Sequence, residues 1–346
     1  MDMLTKLTAA PADHPPVAFG RTGVLLINLG TPEKLTKDSV RTYLAEFLSD
    51  KRVVDYPAAF WQPVLRGIIL NTRPAKTCAA YEKIWDRETD ESPLRRYTRE
   101  QAERLRLRLP EDVTVDWAMR YGVPSIDERL GVMQRAGCDR ILLVPLYPQY
   151  SATTTGTACD AAFGWAMRQP WQPALRVVPP FHDDAGYIDA LAATCRAHVQ
   201  PGTERVIISF HGLPQRYFRA GDPYHCQCQK TARLLRERMG WEESFAPVSF
   251  QSKFGPEKWL EPSTEDLVIA AAEDGLKKVA VITPGFVSDC IETLEEVGME
   301  LAETFTEAGG EELTAIPCLN SGDDFIDVLE SLVRRELGGW LPEPGQ

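Results

Sequence analysis

The chain has 346 residues, too many for one ordinary hydrophobic core and enough for two domains of typical size. With 50 acidic against 38 basic residues its net charge is −12, which disfavours a nucleic-acid partner, repels anionic lipid unless a local patch compensates, and attracts metal cations. Its longest apolar stretches are strand-sized, well below the about 20 residues of a bilayer span, and MDMLTKLTAAPADHPP lacks the continuous apolar core of an export signal, so a cytoplasmic protein is expected. The eight scattered cysteines then read as reduced thiols rather than a disulfide framework; only Cys226 and Cys228 are close together.

In chain order, the first strand-like run is GVLLINLG (23–30), rich in aliphatic and β-branched residues and closed by glycine. A long inserted stretch follows, with Tyr56, Phe60, Trp61, Leu65, Ile68, Ile69 and Leu70 near one another. It reads either as an amphipathic helix packed on its own domain or as an apolar lip for a large flat ligand. VTVDWAMRYG (113–122) and RILLVPLYP (140–148) come next. A second set follows at RVIISFHG (205–212), FAPVSFQSKFG (245–255) and KVAVITPGF (278–286). Helix-period segments such as REQAERLRLRL, SIDERLGVMQRAG, YIDALAATCRAHV and CQKTARLLRERMG lie between. Continuous apolar strands alternating with helices indicate parallel sheets covered on both faces, an α/β fold.

The two sets also match each other in order: LLINLGTPE with IISFHGLPQ, WAMRYGVPS with SFQSKFGPE, LLVPLYPQYSATTTG with AVITPGFVSDCIETL. Gly30 and Gly122 are 92 residues apart where Gly212 and Gly255 are 43 apart, so the first copy carries about 49 more. The expectation is two similar Rossmann-like domains, 20–180 and 181–335, with the apolar lip inserted at about 50–98. Ligands of open α/β sheets bind beyond the carboxyl ends of the strands, and each matched motif sits at such an end, which predicts a cleft between the domains. No GxGxxG or GxxxxGK[ST] follows a strand, which disfavours nucleotide binding.

Two features within this frame carry chemistry. His211 ends an apolar run, and an imidazole accepts protons near neutral pH; a histidine in that place is also commonly structural. Glu292, Glu296 and Glu300 repeat every four residues, which on an α-helix stacks them on one face with Cβ atoms about 5 to 6 Å apart. Such a ladder is either a solvated helix face or a set of oxygen ligands for a hard divalent cation.

The motifs NLGTPE (28–33), LYPQYSATTTG (146–156), SFHGLPQRYFRAGDPY (209–224), FQSKFGPEKWLEP (250–262) and GFVSDCIETLEE (285–296) resemble those of ferrochelatases, over residues 22 to 335. The resemblance implies two chelatase-like domains with a porphyrin between them, and a lyase that inserts Fe²⁺ into protoporphyrin IX at the end of haem biosynthesis. It implies His211 and Glu292 as catalytic residues, with Glu296 and Glu300 continuing an acidic, metal-handling line from them. It also implies substrate contacts from Leu29, Arg120, Tyr121, Gln251 and Trp259, although an internal salt bridge suits Arg120 equally well. Fe²⁺ is then a substrate and no cofactor is required. Partners are the porphyrin and iron, with peripheral membrane contact through the lip.

Two departures stand out. Many relatives carry histidine where this chain has Cys290. The cysteine that some ferrochelatases use for an iron–sulfur cluster in the PQYS segment is Ala152 here, and no cysteine follows Cys318. A cluster of that arrangement is therefore not expected, although Cys226 and Cys228 could join His225 or Cys159 in another. Three alternatives remain open: coproporphyrin as the ring, a cobalt or nickel chelatase, and a two-lobed haem- or metal-binding protein without chemistry.

Overall fold

The computed structural model describes residues 18–341 except 254 and 256. The N-terminal segment read for an export signal, and Phe254 and Pro256 of the SKFGPE motif, lie outside the described residues. Among the described residues, eight strands form two four-stranded parallel sheets. The first contains β1 (Arg21–Gly30), β2 (Val113–Tyr121), β3 (Cys138–Pro145) and β4 (Ala174–Val177) in the order β2-β1-β3-β4. The second contains β5 (Arg205–His211), β6 (Val248–Gln251), β7 (Lys278–Ile282) and β8 (Glu312–Ala315) in the order β6-β5-β7-β8. The identical order is the structural counterpart of the internal sequence match. Register agrees too: Gly30 pairs with Tyr121 at the end of β1, and His211 with Gln251 at the end of β5. The edge strands β4 and β8 escape a sequence reading because ALRV and ELTA are four residues long, partly polar and only partly buried.

Successive side chains of a strand point to opposite faces, and β1 shows what that does here. Val24 and Leu26 face a central core, while Leu25 and Ile27 face an outer one built with the helices Ile126–Arg135 and Thr157–Met167. In β5, Val206, Ile208 and Phe210 enter the same central core, and Ile207 an outer core of the second sheet. The two lobes thus share one continuous apolar interior, which residue-by-residue periodicity does not reveal. The boundary at 180/181 is blurred further by the helix Asp323–Glu336 and the turn after it. From the second lobe these cross back to the first, where Trp340 stacks under Arg176 at 4.3 Å and accepts a hydrogen bond from Arg140.

The helix Pro93–Arg106 shows how local sequence sets this joint. Ser92 caps it by accepting from the Arg95 N–H, Pro93 occupies its first turn, and Leu94, Thr98, Gln101, Ala102 and Leu105 form its buried face. From that face Gln101 donates to Ser288 Oγ (2.9 Å) and to the Asn320 carbonyl (2.7 Å) in the other lobe. The inserted stretch divides as its composition suggests. Leu65 and Leu70 are buried, whereas Phe60 and Ile68 stand 64% and 60% exposed.

Candidate active site

At the carboxyl ends of β1 and β5 the lobes enclose a largely apolar cavity of about 730 Å³, within the range of small-molecule sites. Asn28, Leu29 and Gly30 enter from β1, His211 to Leu213 from β5, and Trp61, Val64 and Ile69 from the inserted stretch. His211, Glu292, Glu296 and Glu300 all line it, as do Leu29 and Trp259. The indole of Trp259 also walls a second cavity of about 420 Å³, with Gln251, Lys253 and Asp266.

One contact orients the His211 ring. Its Nδ1 lies 2.7 Å from the Gly212 carbonyl. A carbonyl only accepts, so Nδ1 carries the hydrogen, and in the neutral ring the lone pair resides on Nε2. Behind it, Tyr224 Oη donates to the His211 carbonyl at 3.0 Å, which holds the strand end in place.

The acidic segment departs from the expected α-helix. Glu292–Leu301 is π-helical, with i→i+5 hydrogen bonds that widen each turn by a residue. In an α-helix of about 3.6 residues per turn, Met299 would complete two turns from Glu292 and fall within the acidic face. In the wider helix it falls short of two turns and points to solvent, 41% exposed. The widened face also brings Glu295 to the cavity, where Lys83 from the first lobe holds it at 2.6 Å. Sequence spacing had left Glu295 out.

Glu296 is the most perturbed member. Burial pushes its carboxyl pKa up, the Ser252 hydroxyl (2.7 and 2.8 Å from its two oxygens) and the His211 charge pull it down, and Glu292 pushes it up; the net shift is upward. Ser252 achieves this contact at φ 63°, a left-handed conformation that costs a non-glycine residue of order 1 kcal/mol or more. Glu296 therefore binds its proton more tightly in the fold than in the unfolded chain. Its contribution to stability is present in acid and is lost as pH rises through the raised pKa. Glu296→Gln is accordingly expected to raise Tm relative to the unsubstituted protein at pH 8 and to lose that advantage at pH 4; equal Tm differences at both pH values would contradict the assignment.

Glu292 is set from behind. Gln251 accepts from Ser209 Oγ (2.8 Å) and donates its Nε2 hydrogen to the Glu292 carbonyl (2.9 Å), so it lies behind the cavity wall rather than in it. Tyr43 and Tyr81, two lining residues that no motif announced, have phenol pKa values pushed up by burial and also by the charge of Glu292, which places both beside it. Cys290 is buried; burial first and Glu292 second hold it well above the ordinary thiol range. It stays a thiol near neutral pH and takes up no proton there.

Arg120 and Tyr121 do not line the cavity. The guanidinium of Arg120 pairs with Asp50 and bonds to Thr157, while Tyr121 is fully buried with its hydroxyl 2.9 Å from Asp50. In sequence an Arg–Tyr pair at a strand end gives no sign of this partnership, since Asp50 lies about 70 residues away. Arg73, by contrast, does line the cavity, and burial lowers its pKa.

Among the described residues no three His, Cys, Asp or Glu side chains converge closely enough to form a metal cage. Glu292, Glu296 and Glu300 follow one another along the cavity wall. Cys226 is exposed and Cys228 buried, so the pair does not present two thiols to one point.

Two lobes of identical strand order, with a base and a file of acids around an apolar chamber, define a chelatase-type protein. SirB from Bacillus subtilis, solved with Fe³⁺, shares this fold at a TM-score of 0.54 over 91% of this chain and 95% of its own, with 12% identity. The family model for ferrochelatase matches residues 21–337. The ferrochelatase of Allorhizobium ampelinum is 56% identical over 336 residues, covering 96% of this chain and 98% of its own. That of Agrobacterium fabrum is 54% identical over 344 residues, covering 98% and 100%. The chain belongs to the ferrochelatase family, and with it to the metal–porphyrin chelatases of haem synthesis.

Proposed function

We propose that this enzyme inserts Fe²⁺ into protoporphyrin IX, with His211 and Glu292 as the residues at the reacting nitrogens. The observation that carries this reading is that His211, its Nδ1 held against the Gly212 carbonyl, lines the same chamber as Glu292, Glu296 and Glu300. Metallation removes two pyrrole N–H protons and adds a dication, so a base and a cation route must meet at one ring. His211 accepts a proton on Nε2 while Nδ1 stays bonded to Gly212. Glu300, Glu296 and Glu292 conduct the iron, and Glu292 is the second proton acceptor. The apolar walls hold the macrocycle and bend it, and binding energy spent on that distortion turns nitrogen lone pairs out of the plane toward the metal. No resident cofactor takes part; iron enters as a substrate.

The lining favours protoporphyrin over its tetracarboxylate precursor. Among the described residues that line the cavity, Arg73 and Arg216 are the arginines, and no lysine is present. Two such cations suit two propionates better than four. Arg73 lines the chamber wall on the side of the inserted stretch, and burial lowers its pKa. Tyr56, Phe60 and Ile68 are exposed on the inserted stretch, part of which lines the chamber. These apolar groups suit peripheral contact with the cytoplasmic face of a membrane, from which the ring enters. No described helix is long and apolar enough to cross a membrane.

The test is anaerobic metallation with Fe²⁺, Co²⁺ and Ni²⁺, each offered protoporphyrin IX and coproporphyrin at matched concentration and followed by absorbance. Fastest turnover is expected for Fe²⁺ with protoporphyrin. Faster turnover with coproporphyrin would reassign the ring, and ring binding without a metallation spectrum would reduce the protein to a carrier.

A further inference from the structure

Around the chamber, one cluster ties the lobes together through Arg216, one of the two arginines that line it. Tyr56 and Asp55 belong to the inserted stretch of the first lobe; Arg216, Tyr217 and Glu257 belong to the second. Tyr56 Oη donates to Glu257 Oε1 at 2.7 Å, Arg216 Nε donates to Glu257 Oε2 at 2.9 Å, and Arg216 Nη1 lies 3.4 Å from Asp55 Oδ2. Tyr217 Oη donates across the same gap to the Arg52 carbonyl at 2.9 Å. Tyr56, Arg216, Tyr217 and Glu257 all line the chamber, yet Tyr56, Arg216 and Glu257 keep partial solvent exposure, which places them at its rim.

This is an unusual place to hold a carboxylate. The chamber is mostly apolar, and its proposed occupant carries carboxylates on flexible arms. At the rim one guanidinium is already engaged by two acids of the protein itself. Glu257 occupies the Nε side of the fork, and Tyr56 holds that same carboxylate from the opposite lobe. Both contacts and the arginine lower the Glu257 pKa, led by Tyr56, so Glu257 is ionised and occupies the arginine as an anion would. A guanidinium fork takes carboxylates in a planar, paired geometry. A second carboxylate arriving from the chamber side can take the place of Glu257 on Arg216; the cluster then carries one more negative charge, and Glu257 swings away with Tyr56 as its donor. Glu257 keeps Tyr56 as a donor when displaced, so the exchange leaves neither acid without a partner.

We propose that Arg216 is a carboxylate-recognising residue at the rim of the chamber, at which a propionate of the tetrapyrrole exchanges with Glu257. The inference rests on the porphyrin reading above. Glu257 is thus an internal competitor for the arginine, and the Tyr56–Glu257–Arg216 bridge between the lobes is remade when the ring leaves. Selectivity for rings bearing free acids follows: an ester offers Arg216 no charge with which to displace Glu257.

The test is a fluorescence titration of the full chain with protoporphyrin IX and with its dimethyl ester in the same detergent. Arg216→Gln is expected to weaken binding of the free acid about tenfold, the scale of one lost charge-assisted bond at a partly exposed site, and to leave the ester's Kd where it was. Glu257→Gln, which removes the competitor's charge, is expected to tighten the free acid several-fold, again without effect on the ester. Arg216→Lys, which keeps the charge and loses the fork, should fall between the unsubstituted protein and Arg216→Gln. The ester reports on folding and on the chamber as a whole. Equal shifts for both rings on Arg216→Gln would show that the arginine only braces the rim and would overturn the proposal, as would unchanged Kd values for the free acid. If the unsubstituted protein binds neither ring, it is the porphyrin reading that fails, a result distinct from either.

Discussion

His211→Ala is expected to lower kcat for iron insertion by about 10² to 10⁴, the range that a positioned general base contributes, while the ring still binds. Alanine removes Nε2 and also the Nδ1–H bond to the Gly212 carbonyl. It leaves the main-chain pairing of His211 with Gln251 and the Tyr224 bond to the His211 carbonyl, so the strand end persists. Glu292→Gln is expected to act on a similar scale. Its carbonyl remains bonded to Gln251 Nε2, and only the carboxylate that handles metal and proton is lost. The measurement is anaerobic metallation under saturating ring, with porphyrin fluorescence titrated in parallel. Turnover near that of the unsubstituted protein in both variants would remove these two residues from the chemistry. Loss of ring binding would move them from proton transfer to packing. The double variant distinguishes a single proton relay, in which effects do not add, from two independent acceptors, in which they do.

The largest effect on stability is expected from Gly30→Ala. Gly30 ends β1 at φ 121°, a region L side chains rarely adopt, and pairs there with Tyr121. A Cβ at this position would lie 1.8 Å from the Tyr121 carbonyl oxygen and 2.7 Å from its carbon, and main chain cannot swing aside as a side chain does. Relief would require β1 and β2 to part just where Tyr121 supports Asp50 and where Gly30 lines the chamber. We expect a loss of about 4 kcal/mol or more, at the exceptional end for a single substitution, seen as a Tm fall of about 5 °C or more for a chain of this size. Gly275→Ala is the control. It too has a positive φ, 89°, but a Cβ there meets nothing within 4 Å, so only the conformational cost of about 1 kcal/mol applies. Similar losses in the two variants would show that backbone conformation, and not the close approach of β2, sets the cost at Gly30.

The two lobes were legible in the sequence because a strand covered on both faces must be apolar at every position. Val24, Leu25, Leu26 and Ile27 are all fully buried, and the run announces itself. The matched motifs at strand ends were legible for a related reason: glycines and prolines that turn the chain after a strand recur in both copies. His211, Glu292, Glu296 and Glu300 were read from those motifs and from spacing, and the chamber gathers all four.

The tertiary structure decided which neighbours work with them. Arg73, Tyr43 and Tyr81 come from helices of the first lobe whose sequence marks no face for a ligand, and Glu295 and Lys83 meet only because the lobes do. Arg120 and Tyr121 turn inward to Asp50, about 70 residues away in the chain, and Gln251 braces the Glu292 carbonyl from behind. The choice of π- over α-helix at Glu292–Leu301 likewise escaped the four-residue rhythm of the glutamates, since both helices place residues four apart near one another. Periodicity along a chain reports that a residue is covered; it carries no information about what covers it. The sequence by itself therefore determined two repeated parallel sheets and a base with its acids, and packing between distant segments determined which polar groups face the chamber and which hold it from outside.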